Sequence, residues 1–552
     1  MKVLICSINS KYIHSSLAPW CLVAGLKKYV NGAEHKVLEC TINETVDSIF
    51  DKILDCDFDL IGFCTYIWNA DYVEKICKRL KERKDCIIVL GGPEAGFNAQ
   101  YYIEKEIADY VISGEGEETF AYLCRGDSPE SISGVSFKSD DKIIISQPAT
   151  LENEPLNPYS SEYFESLNGR IVYFESSRGC PFNCAFCLSG RKDKLRFFNM
   201  DEVKENIIRL ANSGTQTVKF VDRTFNANKD RANEIFGFII TNYGDKIPSG
   251  VCFHFEMEAT LIDDKTIKLL KNAPKGAMQF EIGIQSFNSK TLEAIHRKRD
   301  TDKVVSVIKS LCGLGNIHIH IDLIAGLPYE DMPSFEKSFN LAYSLKPNML
   351  QLGFLKMLHG SYMRENPEIY PCEFDKKAPY QVKSTPWLSS EDMQNLHTCE
   401  DFFEKIYNSS RFSTTCEYLG EKFENAFKMY FDFAMSSKNK PVKILDELTL
   451  EMYNYFGQFE FVDKNILRDA MAMDRLATNR MGTLPEFLKI HSDKTKKILN
   501  ELEKTPETKR KQGFKRAITL LSNGEDYVYV DYDVCDPVSK RYKLNFGKIG
   551  NI

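Results

Sequence analysis

The stretch Ser176-Ser177-Arg178-Gly179-Cys180-Pro181-Phe182-Asn183-Cys184-Ala185-Phe186-Cys187 sets three thiols at CxxxCxxC spacing, with an aromatic residue just before the last. Thiolates hold iron–sulfur clusters, and the four-iron clusters of electron carriers take four of them. Three leave one iron open to a small molecule, so the spacing points to chemistry more than to electron storage. A structural zinc site wants four ligands in close pairs. No fourth Cys or His stands near the run, and the next cysteine, Cys252, falls in an apolar strand pattern. The 17 cysteines are scattered singly behind an opening Met1-Lys2-Val3-Leu4 without a secretory pattern. That usage predicts a reducing, cytoplasmic setting rather than disulfides.

Outward from the run, strand and helix signals alternate with a steady period. Ile171–Glu175 reads as a strand leading straight into the cysteines, and Met200–Ala211 as the helix that follows. Further strands are predicted at Thr217–Val221, Val251–Phe255, Met278–Ile282, His318–Ile324 and Met349–Phe354. Six such units over 171–360 predict a partial (β/α)6 barrel, whose chemistry belongs at the carboxyl ends of the strands. Alternation along the third strand places His254, Glu256 and Glu258 on one side, facing into the barrel. Carboxylates embedded in apolar strands need partners. A ligand's ribose or ammonium would serve, and so would an ion pair between strands.

Residues 151–170, with Glu154-Pro155-Leu156-Asn157-Pro158, read as a linker. Before it, residues 1–150 alternate buried strands (Val3–Ile8, Val37–Cys40, Leu60–Cys64, Ile87–Leu90) with helices at Leu17–Tyr29 and Tyr72–Leu80. That order predicts a doubly wound parallel sheet, with ligands beyond the carboxyl ends of its strands. Those ends carry Tyr12, His14, Trp68, Glu94 and the turn Gly114-Glu115-Gly116-Glu117. After 360 the pattern turns mostly helical, at Ser390–Tyr407, Tyr418–Met435 and Val442–Phe456, with late strands around Tyr527–Tyr532. The whole chain thus reads as an α/β protein with a mostly helical domain over 361–552.

Composition sets the outer limits. Apolar residues make up 43% of 552, and no apolar run is long enough for a membrane span. A net charge of -7 gives no footprint for long nucleic acid, so a small-molecule substrate is expected.

The cysteine run resembles the radical SAM superfamily, in which the open iron is chelated by S-adenosylmethionine. The resemblance implies a 4Fe-4S cluster on Cys180, Cys184 and Cys187, cleavage of S-adenosylmethionine to a 5′-deoxyadenosyl radical, and a one-electron donor such as ferredoxin or flavodoxin. It extends to Glu281 and Gln285, which match a Glu-x-Gly-x-Gln-Ser element near the ribose and methionyl group, and to Arg297, which follows it. It further implies that Phe186 and the segment Gly326-Leu327-Pro328-Tyr329-Glu330 lie beside the adenine. Glu256 joins this expected cofactor set, and Asp222, in Val221-Asp222-Arg223-Thr224, is expected to face substrate.

The N-terminal loops resemble the cobalamin-binding domain often placed before such barrels, through Gly91-Gly92-Pro93-Glu94 and Gly114-Glu115-Gly116-Glu117. The Asp-x-His-x-x-Gly signature of other cobalamin proteins is missing around His14, which leaves cobalamin itself open. Residues beyond 360 resemble an uncharacterised domain carried by one subgroup of these proteins. Within that subgroup the implied activity is queuine lysis, the release of 7-aminomethyl-7-deazaguanine by breaking a carbon–nitrogen bond. Tyr12, His14, Trp68, Glu94 and Asp222 are the candidate substrate residues. A cobalamin-dependent radical SAM methyltransferase and a non-catalytic metal or cobalamin carrier are the alternatives.

Overall fold

The computed structural model of the protein describes residues 1–552 except 141, 152–153, 190–193, 439–443, 481, 491, 506–507, 509–510, 512 and 552. Strand β1 (Lys2–Asn9) is buried on both faces along nearly its whole length, as expected of a strand covered by helices on each side. It pairs in parallel with β2 (Glu34–Thr41) and β3 (Leu60–Cys64), and the sheet continues through β4 (Ile87–Gly91) and β5 (Tyr110–Ile112). Helices α1 (Ala18–Tyr29), α2 (Val46–Leu54), α3 (Ala70–Arg83), α4 (Pro93–Gly96), α5 (Ala99–Glu104) and α6 (Gly116–Arg125) connect and cover it. The expected all-parallel sheet is extended by two antiparallel edge strands, β6 (Val135–Ser139) and β7 (Lys142–Ile144). At five and three residues they are short, and Ser139 and Asp140 lead into the turn between them. Gly25 lets α1 meet α6: a Cβ there would stand 2.0 Å from the Glu117 carbonyl oxygen.

Residues 151–170, expected as a linker, carry helix α7 (Ser161–Ser166) and bury Tyr159, Tyr163 and Leu167. The next six-stranded sheet has the order β15-β14-β13-β12-β11-β8, all parallel. Its members are β8 (Val172–Phe174), β11 (Thr217–Phe220), β12 (Cys252–Met257), β13 (Met278–Gln285), β14 (His318–Ala325) and β15 (Met349–Phe354). Between β8 and β11 the short pair β9 (Ser177–Arg178) and β10 (Arg196–Phe197) closes the base of the segment that carries the cysteines. Outward-facing Phe220, Phe255 and Phe280 interlock with Phe236 on the helix Lys229–Asn242. The alternate residues Lys219, His254, Glu256, Glu281, His320 and Asp322 are thereby turned to the inner face.

The carboxyl end of the first sheet is stitched to the amino end of β8. Ile171 N donates to Ile13 O at 2.8 Å, Ser15 N and Oγ both donate to Ile171 O, and Arg170 pairs with Glu39 at 2.8 and 3.2 Å. The strap β16 (Glu373–Phe374) to β17 (Val382–Ser384) then returns toward the first sheet, where the Tyr380 hydroxyl donates to Glu94. The helix expected over Tyr418–Met435 is broken in two, at Ser413–Lys422 and Ala426–Ser437, because Asn425 caps the second by accepting from Lys428 N. The third expected helix runs Leu445–Phe456; its expected start at Val442 lies outside the described residues. Among the described residues no helix is long and apolar enough to cross a membrane.

Candidate active site

The loop that bears the cysteines is held from three directions. At its entry, Ser176 N and Oγ donate to Asp222 at 3.0 and 2.7 Å, and the Ser177 hydroxyl donates to the same carboxylate. Asp222 is 1% exposed, and burial, partly offset by these donors, raises its carboxyl to about 6. Expected to face substrate, it instead anchors the loop, a role that depends on Ser176 lying 46 residues away in sequence. At Gly179, φ is +99° and a Cβ would stand 2.7 Å from the Lys194 carbonyl oxygen, so glycine meets both demands. Deeper in, Ala185 N donates to Ile295 O and Met363 N donates to Ala185 O, each at 3.0 Å.

Cys180 and Cys184 are buried and Cys187 is partly exposed. Thr224 Oγ1 stands 3.4 Å from Cys180 Sγ, and Arg297 Nη1 donates to Cys184 Sγ at 3.2 Å. Burial pushes the Cys184 thiol up, and the Arg297 guanidinium opposes that rise. Among the described residues no three His, Cys, Asp or Glu side chains converge as a single metal ion requires. A cluster does not ask for convergence, because each thiolate binds its own iron. Three spaced thiolates with a guanidinium alongside fit a 4Fe-4S cluster of net negative charge.

Beside the cysteines, Arg297 Nη2 also donates to Glu258 Oε2 at 3.0 Å and to Gly283 O at 2.9 Å. Arg299 Nη1 adds a second contact to Glu258 at 3.4 Å. Glu258, expected inside the barrel with His254, therefore sits past the end of β12, spent on two arginines. Gln285, at φ +71°, is buried with its Oε1 lacking any hydrogen bond. An unspent acceptor beside Arg297 and Gly283 suits an ammonium or hydroxyl donor, as S-adenosylmethionine presents. Gly326 (φ +90°) and buried Leu327 follow β14, and Phe186 packs partly buried against the core.

Glu281, expected near the methionyl group, is engaged by other side chains. It lies on the inner face, 2.9 Å from His254 Nε2 and 3.4 Å from Lys219 Nζ. Burial works to raise its carboxyl, but His254 and Lys219 outweigh it and hold it at about 2. Glu94 departs from its expected substrate role: it is buried under Tyr380 and so closed to a substrate in the cleft. His14 turns its Nδ1 to the Tyr173 hydroxyl at 2.7 Å. Tyr12 is 69% exposed, and Trp68, 42% exposed, stacks on Tyr66 at 4.3 Å while donating to Ile8 O.

Sequence reasoning missed the link between the two halves of this site. Arg178, inside the cysteine run, reaches Glu117 at 2.9 Å, Glu175 at 2.7 Å and Glu115 at 3.3 Å, and Arg196 also meets Glu115. The acidic turn and the arginine were both legible, but nothing local pairs residues 61 positions apart.

The family described as the Radical SAM superfamily matches residues 174–342, which span the cysteine loop and most of the inner sheet. Residues 174–342 are a radical SAM domain. Its first sheet matches the B12 binding domain over residues 4–123, and residues 368–532 match a protein family of unknown function, DUF4080. Among relatives, an uncharacterized methyltransferase of Pyrococcus horikoshii, PH0819, is 27% identical over 319 residues, 54% of this chain and 67% of the relative. The cobalamin-dependent radical SAM methyltransferase TokK of Streptomyces tokunonensis is 25% identical over 321 residues, 54% of this chain and 46% of that protein. The match thus spans about half of this chain in each case, and less than half of TokK. In fold, the chain resembles the cobalamin-dependent S-adenosylmethionine radical enzyme OxsB, solved with aqua-cobalamin bound. The TM-score is 0.56 at 14% identity, covering 91% of this chain and 80% of that one.

The residues at the first sheet's carboxyl end fit a flat macrocycle in part. The Tyr66–Trp68 stack offers an open aromatic face, and Thr65 Oγ1 is buried beside it without a hydrogen bond. His14 lacks the Asp of the cobalamin signature, and Tyr173 holds its Nδ1 in that carboxylate's stead. A cobalamin here would be held by the Tyr66–Trp68 face.

Proposed function

We propose that this radical SAM enzyme transfers a methyl group to a small polar substrate held on the inner face of the barrel, with cobalamin carried by the N-terminal domain. The observation that carries this reading is the B12 binding match over residues 4–123, on a sheet whose strand ends are stitched to the strand that leads into the cysteines. The methyltransferases PH0819 and TokK support it. A reduced cluster supplies the electron that cleaves S-adenosylmethionine, and cobalamin supplies a methyl carrier. The chain's own residues do the positioning. Asp222 and Gly179 fix the loop, Arg297 steadies Cys184, Gln285 offers an acceptor to the cofactor's methionyl end, and Tyr66 and Trp68 provide the face for the macrocycle. A protein one-electron donor such as ferredoxin or flavodoxin is part of the proposal.

Radical cleavage of a carbon–nitrogen bond without cobalamin, as in queuine lysis, is the second reading. The relatives named above lend it no support. It is favoured by the closed position of Glu94 under Tyr380 and by the missing Asp before His14. One anaerobic experiment separates the two. The reconstituted enzyme is expected to retain about one cobalamin per chain and to form S-adenosylhomocysteine together with 5′-deoxyadenosine. Formation of 5′-deoxyadenosine with no cobalamin absorbance and no S-adenosylhomocysteine overturns methyl transfer in favour of the second reading, which queuine loss by mass spectrometry then tests.

A further inference from the structure

The inner face of the barrel carries charge at nearly every inward position below the cysteine loop. The register places His254 beside Lys219, Glu256 beside Glu281, Glu281 beside His320, and Gly283 beside Asp322. Most of these groups meet one another at ion-pair distance, though the histidine contacts are without aligned hydrogen bonds. Glu281 takes Lys219 and His254, and His320 Nε2 stands 3.0 Å from Asp322 Oδ1. Glu256 is different: no described residue gives its carboxylate a hydrogen bond or an ion pair, although the side chain is more than half buried. Around it, His254 and His320 are each 6% exposed, and their Nε2 atoms approach carboxylates without an aligned hydrogen bond. Asp322 Oδ1 is likewise left without one. Buried polar groups without partners are rare in folded proteins, and a cluster of them on one concave surface is what a ligand would complete.

Glu256 does not belong with the cofactor set. Its register partner Glu281 precedes Gln285 by four residues on β13, so Glu256 lies deeper along the strands than Gln285 and Arg297. A carboxylate with both oxygens free accepts two parallel N–H bonds, and a planar donor pair meets that geometry best. Lys219 in the neighbouring strand spends itself on one contact of 3.4 Å and can also meet a carbonyl oxygen. Burial raises the Glu256 carboxyl to about 7, against Arg223, as expected of an acid that waits for donors.

We propose that Glu256 is the substrate-recognition carboxylate of this enzyme and takes a planar N–H pair, that of an amidine, a guanidine or a 2-aminopyrimidinone edge. The proposal deepens the functional reading above and rests on its radical SAM site, since it names the substrate class that site would serve.

The test uses the cluster-loaded enzyme with S-adenosylmethionine, held anaerobic, and two probes measured by ligand-observed NMR. Isocytosine carries the donor pair and 4-hydroxypyrimidine lacks the amino group. Isocytosine is expected to bind at least about 10-fold more tightly, the size of one charge-assisted hydrogen bond. Glu256→Gln should erase that preference. Equal affinities for the two probes, or an intact preference in the variant, overturn the proposal. Loss of S-adenosylmethionine affinity in the variant overturns it too, by returning Glu256 to the cofactor. Probe binding is read without turnover, so a wild-type enzyme that released no 5′-deoxyadenosine would sink the functional reading while the probe ratio still decided this one.

Discussion

Arg178 Nη2 lies 2.9 Å from Glu117 Oε1, and this contact ties the strand leading into the cysteines to the first turn of helix α6 in the other domain. Both side chains are mostly buried, and Glu115 and Glu175 complete a three-carboxylate surround. Removing one partner of such a buried set strands the others, at a cost of about 3–5 kcal/mol. Arg178→Met is therefore expected to lower stability by that amount in a denaturant titration, and to lower the iron content after reconstitution. A variant with wild-type stability and iron would show that the contact is ornamental.

Arg297 touches Cys184 Sγ, Glu258 and Gly283 O at once, through a fork that lysine cannot reproduce. Both Arg297→Met and Arg297→Lys are expected to weaken S-adenosylmethionine binding by ten- to a hundredfold, about 1.4–3 kcal/mol. Equilibrium dialysis with the cluster-loaded enzyme measures it. Cys184→Ala should release no 5′-deoxyadenosine at all, and turnover by that variant would refute the cluster assignment.

Asp222 acts through the loop and not on a ligand. Asp222→Ala leaves Ser176 N buried without an acceptor, a cost of about 1–3 kcal/mol, whereas Asp222→Asn keeps an oxygen for it. The expected signature is faster loss of iron to a chelator in the alanine variant, with partial rescue by asparagine. Equal chelation rates in wild type and both variants would remove the anchoring role.

Glu330 is fully buried, accepting from Ser286 and Ser338, and burial outweighs these donors to raise its carboxyl from 4.5 to about 7. Between those values the folded chain keeps a proton that the unfolded chain has released, so this residue's contribution to stability falls as pH rises from about 4.5 to 7 and levels off above. Its full size is about 3 kcal/mol. Glu330→Gln should flatten that slope between urea titrations at pH 5 and pH 8. An unchanged slope would mean that the carboxyl titrates normally.

Much of the site was legible because its signals are local. The CxxxCxxC spacing needs only neighbours, and the alternation in Phe253-His254-Phe255-Glu256 places the inward and outward residues without knowledge of the fold. The misplaced residues share one cause. Glu94, Asp222 and Glu258 are carboxylates, and a carboxylate's role is set by which donor reaches it. Those donors, Tyr380, Ser176 and Arg297, come from elsewhere in the chain.

The sequence by itself determined the cysteine cradle, the two runs of parallel strands and the concentration of charge along the barrel's inward positions. Each follows from spacing or period within a short window of chain. Only the tertiary structure decided which charges are spent and which are free. Packing the two sheets end to end commits Glu117 to Arg178 and His14 to Tyr173, while Glu256 is left facing the interior with both oxygens unclaimed. Electrostatic pairing acts across space at a few ångströms, so it is fixed by the fold and not by the order of residues.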